Sequence, residues 1–178
     1  MGSHKKTIST KESGRMIRYV KQKNKYTCGP VAIINIMKWC GYNTSYKKDI
    51  KKIIKTTNTD VGGTYFYEIG LALENVRNIK TLIRHKINIT EIKKQLKMNN
   101  VVLIDFDWNC NKINKKIDNS SLRHCSLVIG YNNETKKYKI VNHYKNETIS
   151  DVDNEDFKKE IDTSCIKGIV VVKNIKFI

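Results

Sequence analysis

The feature that most constrains this chain is an apolar run at residues 31–40, which follows the sequence Cys28-Gly29-Pro30. Only two of the ten residues in the run are polar. A run of this length and apolar density predicts a helix buried on most sides, with Gly41 placed to end it in the left-handed conformation. The single proline of the chain fits the first turn of that helix, because the N–H that proline lacks has no helical partner there.

Cys28 is therefore expected at the N-terminus of a helix. Unpaired N–H groups and the helix dipole favour an anion at that end, so the pKa of the thiol should fall toward the thiolate form. The alternative is that Cys28 is a small buried apolar side chain, as many free cysteines are.

Two further features favour a reactive cysteine. Gln22 lies six residues upstream of Cys28, near enough for its amide NH2 to turn back toward the thiol and stabilise an oxyanion. His124 opens an apolar strand ninety-six residues downstream. A nucleophilic cysteine early in the chain and a histidine late is the order expected when the two meet only in the folded protein.

A hairpin is predicted to supply the residue that orients the histidine. Strands at 123–131 and 137–142 flank a polar turn, and their antiparallel pairing would bring Asn142 level with His124. The side-chain oxygen of Asn142 would then accept the Nδ1–H of the imidazole and hold the ring toward Cys28. Two alternatives stay open: Asn142 is a strand-end turn residue, or His143 is the catalytic histidine, although its strand-end context fits less well.

Taken together, these motifs resemble the papain-like cysteine peptidases, and within them the C39 and C39-like group. The matching pattern is Gln-x5-Cys-Gly-Pro at a helix start, Gly62-Gly63-Thr64 before another helix, and His124-x-x-Leu-Val-Ile-Gly-Tyr. The similarity covers about 22–161. It implies an α+β, papain-like fold, in which an N-terminal helix bearing the nucleophilic cysteine packs on an antiparallel β-sheet bearing the histidine.

The resemblance also implies an activity, which is peptide-bond hydrolysis by a thiol mechanism. Cys28 would attack the carbonyl, His124 would share its proton, Asn142 would orient the ring and Gln22 would stabilise the oxyanion. C39 enzymes cut after small residues such as Gly-Gly, so a peptide or protein substrate is expected. C39 members commonly carry an aspartate at the position of Asn142, whereas papain has an asparagine there.

One domain is expected from a chain of 178 residues. Residues 1–21 are predicted to form a basic arm that ends in an extended segment, and 22–178 the peptidase domain. Ser45 is predicted to cap a second helix and Thr64 a third. The continuous apolar run at 101–106 predicts the central strand.

After the central strand, the sequence also predicts a long loop, a short helix and a last strand. Residues 107–122 are predicted to form a long loop that walls the cleft, with Trp108 either facing substrate or packed in the core. A short helix is predicted within 151–161 and a last strand at 168–172.

The formal charge of +17 raises the possibility of a nucleic-acid partner. Lysines outnumber arginines by 29 to 5, and arginine is the residue suited to bidentate phosphate contacts. The lysines are also spread over several segments, as AT-rich coding alone would produce. A solvated basic surface is therefore favoured over nucleic-acid binding, and attraction to an acidic partner stays open.

Other sequence features limit the cellular setting and the chemistry. The five cysteines have irregular spacing, which favours a reducing, intracellular location over a disulfide scaffold. Neither a secretory signal nor an apolar run long enough to span a membrane is present, and no cofactor or metal motif is found. A free-standing protease is expected, of viral origin (then virion-located) or from an AT-rich parasite or bacterium.

Two other functions use the same residues and stay open. A Cys-His-Asn set can also catalyse amide transfer or deamidation. Alternatively, the chain is a non-catalytic basic binding module on a papain-like frame, for nucleic acid or an acidic protein.

Overall fold

The computed structural model describes residues 8–9, 17–76, 79–85, 88–107, 123–141, 149–162 and 166–174. Within these ranges the chain forms five helices and seven strands. The helices are α1 (Cys28–Trp39), α2 (Tyr46–Thr56), α3 (Phe66–Glu74), α4 (Ile89–Lys97) and α5 (Asn154–Asp162). The strands are β1 (Ile8–Ser9), β2 (Ile79–Arg84), β3 (Val101–Asp107), β4 (Arg123–Asn132), β5 (Lys137–Val141), β6 (Ile149–Asp153) and β7 (Ile166–Asn174).

The strands form one antiparallel sheet with the order β2-β7-β3-β4-β5-β6, and β1 pairs with the end of β4. The C-terminal strand β7 lies between β2 and β3, so it closes a gap between two strands that come earlier in the chain. Strand β3 lies in the middle of the order, which confirms the central strand predicted at 101–106.

Both faces of the sheet are covered by helices. Alternate side chains of a strand point to opposite faces, and Leu103 and Leu127 pack in one cluster with α1 and α3. Val102 and Val128 pack in a second cluster with α4 and α5. The expected α+β arrangement, a cysteine-bearing helix packed on an antiparallel sheet that carries the histidine, is therefore confirmed.

Helix α1 begins and ends as predicted. It starts at Cys28 after Thr27, and Gly41 follows its last turn with φ of 82°. The N–H of Gly41 donates to the Lys38 carbonyl at 3.0 Å, and that of Tyr42 to the Met37 carbonyl at 2.9 Å. These two bonds form a Schellman motif, which needs a residue without a Cβ penalty at the left-handed position.

Asn35, one of the two polar residues in the apolar run, holds the preceding segment against α1. Its side chain is fully buried. The Val20 N–H donates to Asn35 Oδ1 at 2.7 Å, and Asn35 Nδ2 donates to the Val20 carbonyl at 3.0 Å. These two bonds satisfy the backbone N–H and C=O of Val20 and hold the segment that leads past Gln22 to Cys28.

Of the two residues predicted to cap helices, Ser45 is confirmed and Thr64 is not. Ser45 caps α2, since its Oγ accepts the Lys48 N–H at 3.2 Å. The prediction for Thr64 is wrong, because α3 starts one residue later with Tyr65 as its N-cap. The Thr64 hydroxyl instead hydrogen-bonds the Thr59 hydroxyl at 2.6 Å, within the preceding loop.

The last elements also differ in part from the expectation. The helix predicted within 151–161 begins only at Asn154, because the residues before it form β6 and pair with β5. An alternating strand so short and polar gives little signal in the sequence. Of the loop predicted at 107–122, only Asp107, at the end of β3, is among the described residues. Trp108 lies outside them.

Candidate active site

Cys28 is the first residue of α1, as the sequence predicts. Thr27 makes no side-chain capping bond, and the first turn of the helix carries no acidic residue. The positive end of the helix dipole is therefore not offset locally, which favours an anion at this position. The Cys28 side chain is partly exposed and lines a cavity of about 420 Å³.

His124 is the second residue of β4 and lies at the same cavity, 2% exposed. Strand β4 begins at the cleft, so His124 lies near the N-terminus of α1 although Cys28 and His124 are far apart in sequence. Cys28 and His124 therefore both line this cavity. The structure thus brings together the two residues that the sequence singled out as nucleophile and base.

A second thiol contacts Cys28 as well. The hydrogen bond from the Cys125 side chain is the largest cause that holds the pKa of Cys28 well below its ordinary value. The hydrogen bond and positive charge of His124, and a hydrogen bond from the Cys125 backbone, act in the same direction, while burial opposes them. Cys28 is consequently poised as a thiolate.

The pKa of the Cys125 thiol shifts in the opposite direction. The hydrogen bond to Cys28 raises the pKa of the Cys125 thiol well above its ordinary value, and burial and the nearby Asp105 carboxylate raise it further. Cys125 therefore stays protonated and donates its S–H to the Cys28 thiolate.

Sequence reasoning missed both Cys125 and Asp105. Asp105 is the cross-strand partner of Cys125, is 5% exposed and lines the cavity. Asp105 belongs to the apolar run at 101–106, which predicts the central strand. A carboxylate within such a run was the available signal, because an ionisable group is rarely buried without a specific partner.

The loop before α3 forms one wall of the cavity, and Gly62 and Gly63 both line it. Asp60 shapes this loop as a tight turn, with its Oδ1 accepting the Gly62 N–H at 2.7 Å. The loop packs directly on the nucleophile's helix, since a Cβ on Gly29 would lie 2.7 Å from the Thr64 hydroxyl. Glycine after the cysteine is thus needed for this close approach.

Gln22 is the other predicted catalytic residue that the structure describes. Gln22 is 8% exposed, and its Nε2 donates to the Asn24 carbonyl at 2.8 Å. One amide hydrogen of Gln22 is therefore engaged, and its role as oxyanion donor stays a prediction. Asn142 and His143 lie outside the described residues.

The described residues contain neither a metal-binding cluster nor a membrane-spanning helix. Across these residues, no group of three or more histidine, cysteine or acidic side chains is arranged to hold a metal ion. None of the helices in this part of the chain combines the length and apolar character needed to span a bilayer.

A helix-borne thiolate paired with an imidazole from an antiparallel sheet defines the class of papain-like cysteine peptidases. The sequence profile of the Peptidase_C39 like family matches residues 15–164. The chain belongs to this family, and it is a cysteine peptidase.

Solved structures share the fold at low sequence identity. The peptidase domain of Streptococcus ComA, a bifunctional ABC transporter involved in quorum sensing, has a TM-score of 0.66 and 18% identity, over 89% of this chain and 98% of that one. A C39-like peptidase from Bacillus anthracis has a TM-score of 0.65 and 15% identity, over 88% and 94%.

A third similar structure is a double glycine motif protease from an AMS/PCAT transporter in complex with the leader peptide. Its TM-score is 0.60 and its identity 12%, over 89% of this chain and 92% of that one. No curated protein sequence matches this chain significantly.

Proposed function

We propose that this chain hydrolyses peptide bonds after small residues such as Gly-Gly, with Cys28 as nucleophile and His124 as general acid and base. The observation that supports this most directly is that Cys28 and His124 line one cavity, where His124 lowers the pKa of the Cys28 thiol. A thiolate held beside an imidazolium is the resting state that thiol acyl transfer requires.

The reaction would proceed in two halves. The Cys28 thiolate attacks the scissile carbonyl, and His124 gives its proton to the leaving amine, so that an acyl-enzyme forms. In the second half His124 takes a proton from water, and the resulting hydroxide attacks the thioester and releases the acid. Asn142 would hold the ring of His124 in the orientation that serves both halves.

The negative charge of the tetrahedral intermediate needs donors that are already in place. The Cys28 backbone N–H lies at the N-terminus of α1, where the helix dipole adds to its effect. The amide of Gln22 is proposed as the second donor, through the hydrogen that Asn24 does not engage. Gln22→Ala should therefore lower kcat by about 100-fold, as loss of one oxyanion donor does in other enzymes.

An exposed apolar surface beside the cavity is proposed to bind parts of the substrate outside the cleft. Val61 and Tyr65 line the cavity and are 90% and 73% exposed. Tyr67 and Leu71 extend this surface along α3, and the rings of Tyr65 and Tyr67 lie 6.0 Å apart. Contiguous exposed apolar side chains next to a cleft are typical of a peptide-binding surface. The leader-peptide complex of the similar double glycine motif protease fits a peptide ligand.

A set of matched peptides tests this proposal. Peptides with Gly-Gly before the scissile bond should be cut by the wild-type chain, and those with a large residue in place of the second glycine should not. Cys28→Ala and His124→Ala should lose hydrolysis while keeping the fold, as checked by circular dichroism.

Other outcomes would identify the competing functions. With an added primary amine, an amide product in place of the acid would indicate acyl transfer. The absence of any cleavage, together with no enhanced alkylation of Cys28 at mildly acidic pH, would refute a catalytic role. Salt-dependent binding of DNA or RNA would then favour the basic binding module.

A further inference from the structure

The two thiols at the cleft belong to different elements and meet only in the folded chain. Cys28 begins α1, Cys125 lies on β4, and both line the same cavity. Cys28 packs against the buried cluster that contains Cys125, and neither thiol is in a disulfide. A hydrogen bond between the two side chains is also the largest cause of the lowered pKa of Cys28. Peptide hydrolysis requires one nucleophilic thiol, and the proposed reaction uses Cys125 only as a hydrogen-bond donor to it.

We propose that Cys28 and Cys125 form a reversible disulfide when the protein meets a hydroperoxide. The bond itself depends only on the placement of the two sulfur atoms. Its consequence, which is reversible loss of peptidase activity, rests on the function proposed above.

The chemistry has two steps with hydrogen peroxide as the oxidant. The Cys28 thiolate attacks one peroxide oxygen, so an S–O bond forms, the O–O bond breaks and hydroxide leaves, taking up a proton to give water. Cys125 then attacks the sulfur of the resulting sulfenic acid, so the S–S bond forms and the S–O bond breaks, with loss of a second water. Two thiols and one peroxide thus give one disulfide and two waters.

The surroundings assign different roles to the two sulfurs. Cys28 is partly exposed and has a lowered pKa, so it is the sulfur that a peroxide reaches and the one that reacts first. Cys125 is 3% exposed and is held protonated mainly by the hydrogen bond with Cys28. Oxidation makes Cys28 neutral and removes that cause, so Cys125 ionises more readily once it is needed as the second nucleophile.

Cys40 is not placed to take the part of Cys125. It follows the last residue of α1, whereas Cys28 is the first. At a rise of ~1.5 Å per residue the two lie about 18 Å apart along the helix, far beyond the reach of a disulfide. Cys40 is therefore a suitable control cysteine.

The sequence makes the test direct, because trypsin separates all five cysteines. Cleavage after lysine and arginine places Cys28 in peptide 26–38, Cys40 in 39–47 and Cys125 in 124–136. The two remaining cysteines fall in 98–112 and 160–167. The purified protein would be treated with a small excess of hydrogen peroxide at neutral pH, blocked with N-ethylmaleimide, digested without reduction and analysed by mass spectrometry.

We expect peptides 26–38 and 124–136 to be joined, with the mass of the pair lower by two hydrogens. Activity should fall in proportion to the joined fraction and return with dithiothreitol. Cys40→Ala should behave in the same way. Cys125→Ser keeps a hydroxyl donor beside Cys28 but has no second sulfur. Relative to its own untreated activity, this variant should be inactivated by peroxide without recovery, as Cys28 proceeds to the sulfinic acid.

Two results would overturn the proposal: sulfinic acid at Cys28 in the wild type without any joined peptide, or a joined pair that involves another cysteine. The mass measurement does not depend on peptidase activity. A chain that forms the bond but cuts no peptide would refute the proposed function alone, and a chain that cuts peptides but is oxidised irreversibly would refute the disulfide alone.

Discussion

Gly29→Ala should destabilise the fold at the turn that carries the nucleophile. A Cβ at this position would lie 2.7 Å from Oγ1 and 2.8 Å from Cβ of Thr64, and 3.1 Å from Cδ1 of Ile69. The Ile69 methyl group can rotate away. Thr64 is held more firmly, because its hydroxyl bonds Thr59 at 2.6 Å, and Thr59 in turn bonds Thr57 at 2.7 Å.

The size of the effect follows from three contributions to the free energy of unfolding. Overpacking a buried site costs about 1–3 kcal/mol. Breaking the hydrogen bond between Thr59 and Thr64 would add about 1 kcal/mol, and the better helix propensity of alanine returns at most ~1 kcal/mol. The expected loss is therefore about 1–3 kcal/mol.

Urea unfolding followed by circular dichroism measures this loss. Gly70→Ala serves as a matched control, because its closest contact is the end of the flexible Ile83 side chain and a smaller loss is expected. Thr64→Gly removes both crowding atoms, so Gly29→Ala should cost much less in that background. The close approach would be refuted as the reason for this glycine by either of two results. Gly29→Ala could be as stable as the wild type, or it could lower the free energy of unfolding equally in the Thr64→Gly background.

Three further predictions concern the site itself. Cys28 should be alkylated by iodoacetamide at pH values where an ordinary thiol is protonated, because its pKa is lowered. The midpoint of the alkylation rate against pH should move to higher pH in Cys125→Ala and in His124→Ala. An unchanged midpoint would contradict the roles of Cys125 and His124 in lowering this pKa. Asn142→Ala should lower kcat by up to about 100-fold, because the His124 ring loses its orientation. Asn142→Asp should retain or increase kcat. Equal rates for the wild type and both variants would exclude Asn142 as the orienting residue. Tyr65→Ala should raise KM with little change in kcat, because it removes binding that is the same in the ground and transition states; a change confined to kcat would argue against the apolar surface as a substrate contact.

Local signals in the sequence were sufficient for much of the site. The apolar run, Pro30 and Gly41 define α1 and its ends, and these place Cys28 at the helix N-terminus. His124 at the start of an apolar strand was also recognisable. In each case the signal lies within a few neighbouring residues, where helix termination and strand patterning act.

The failures have an equally physical origin. Thr64 has the chemistry of a helix cap, but its hydroxyl bonds Thr59 within the preceding loop, which packs against Gly29. The position of β7 between β2 and β3 depends on pairing between distant segments, for which the chain carries no local signal. Register across β3 and β4 likewise decides that Asp105 lies beside Cys125.

By itself, then, the sequence determined a buried helix that begins with a reactive cysteine, an apolar strand that begins with a histidine, and the kind of chemistry that such a pair performs. Only the tertiary structure decided that Cys125 lowers the pKa of Cys28, that Asp105 raises the pKa of Cys125, and that the loop before α3 forms one wall of the cavity. The reason is that helix ends and apolar periodicity are set by neighbouring residues. Contacts between α1 and β4, by contrast, depend on strand order and register, which only the packed chain specifies.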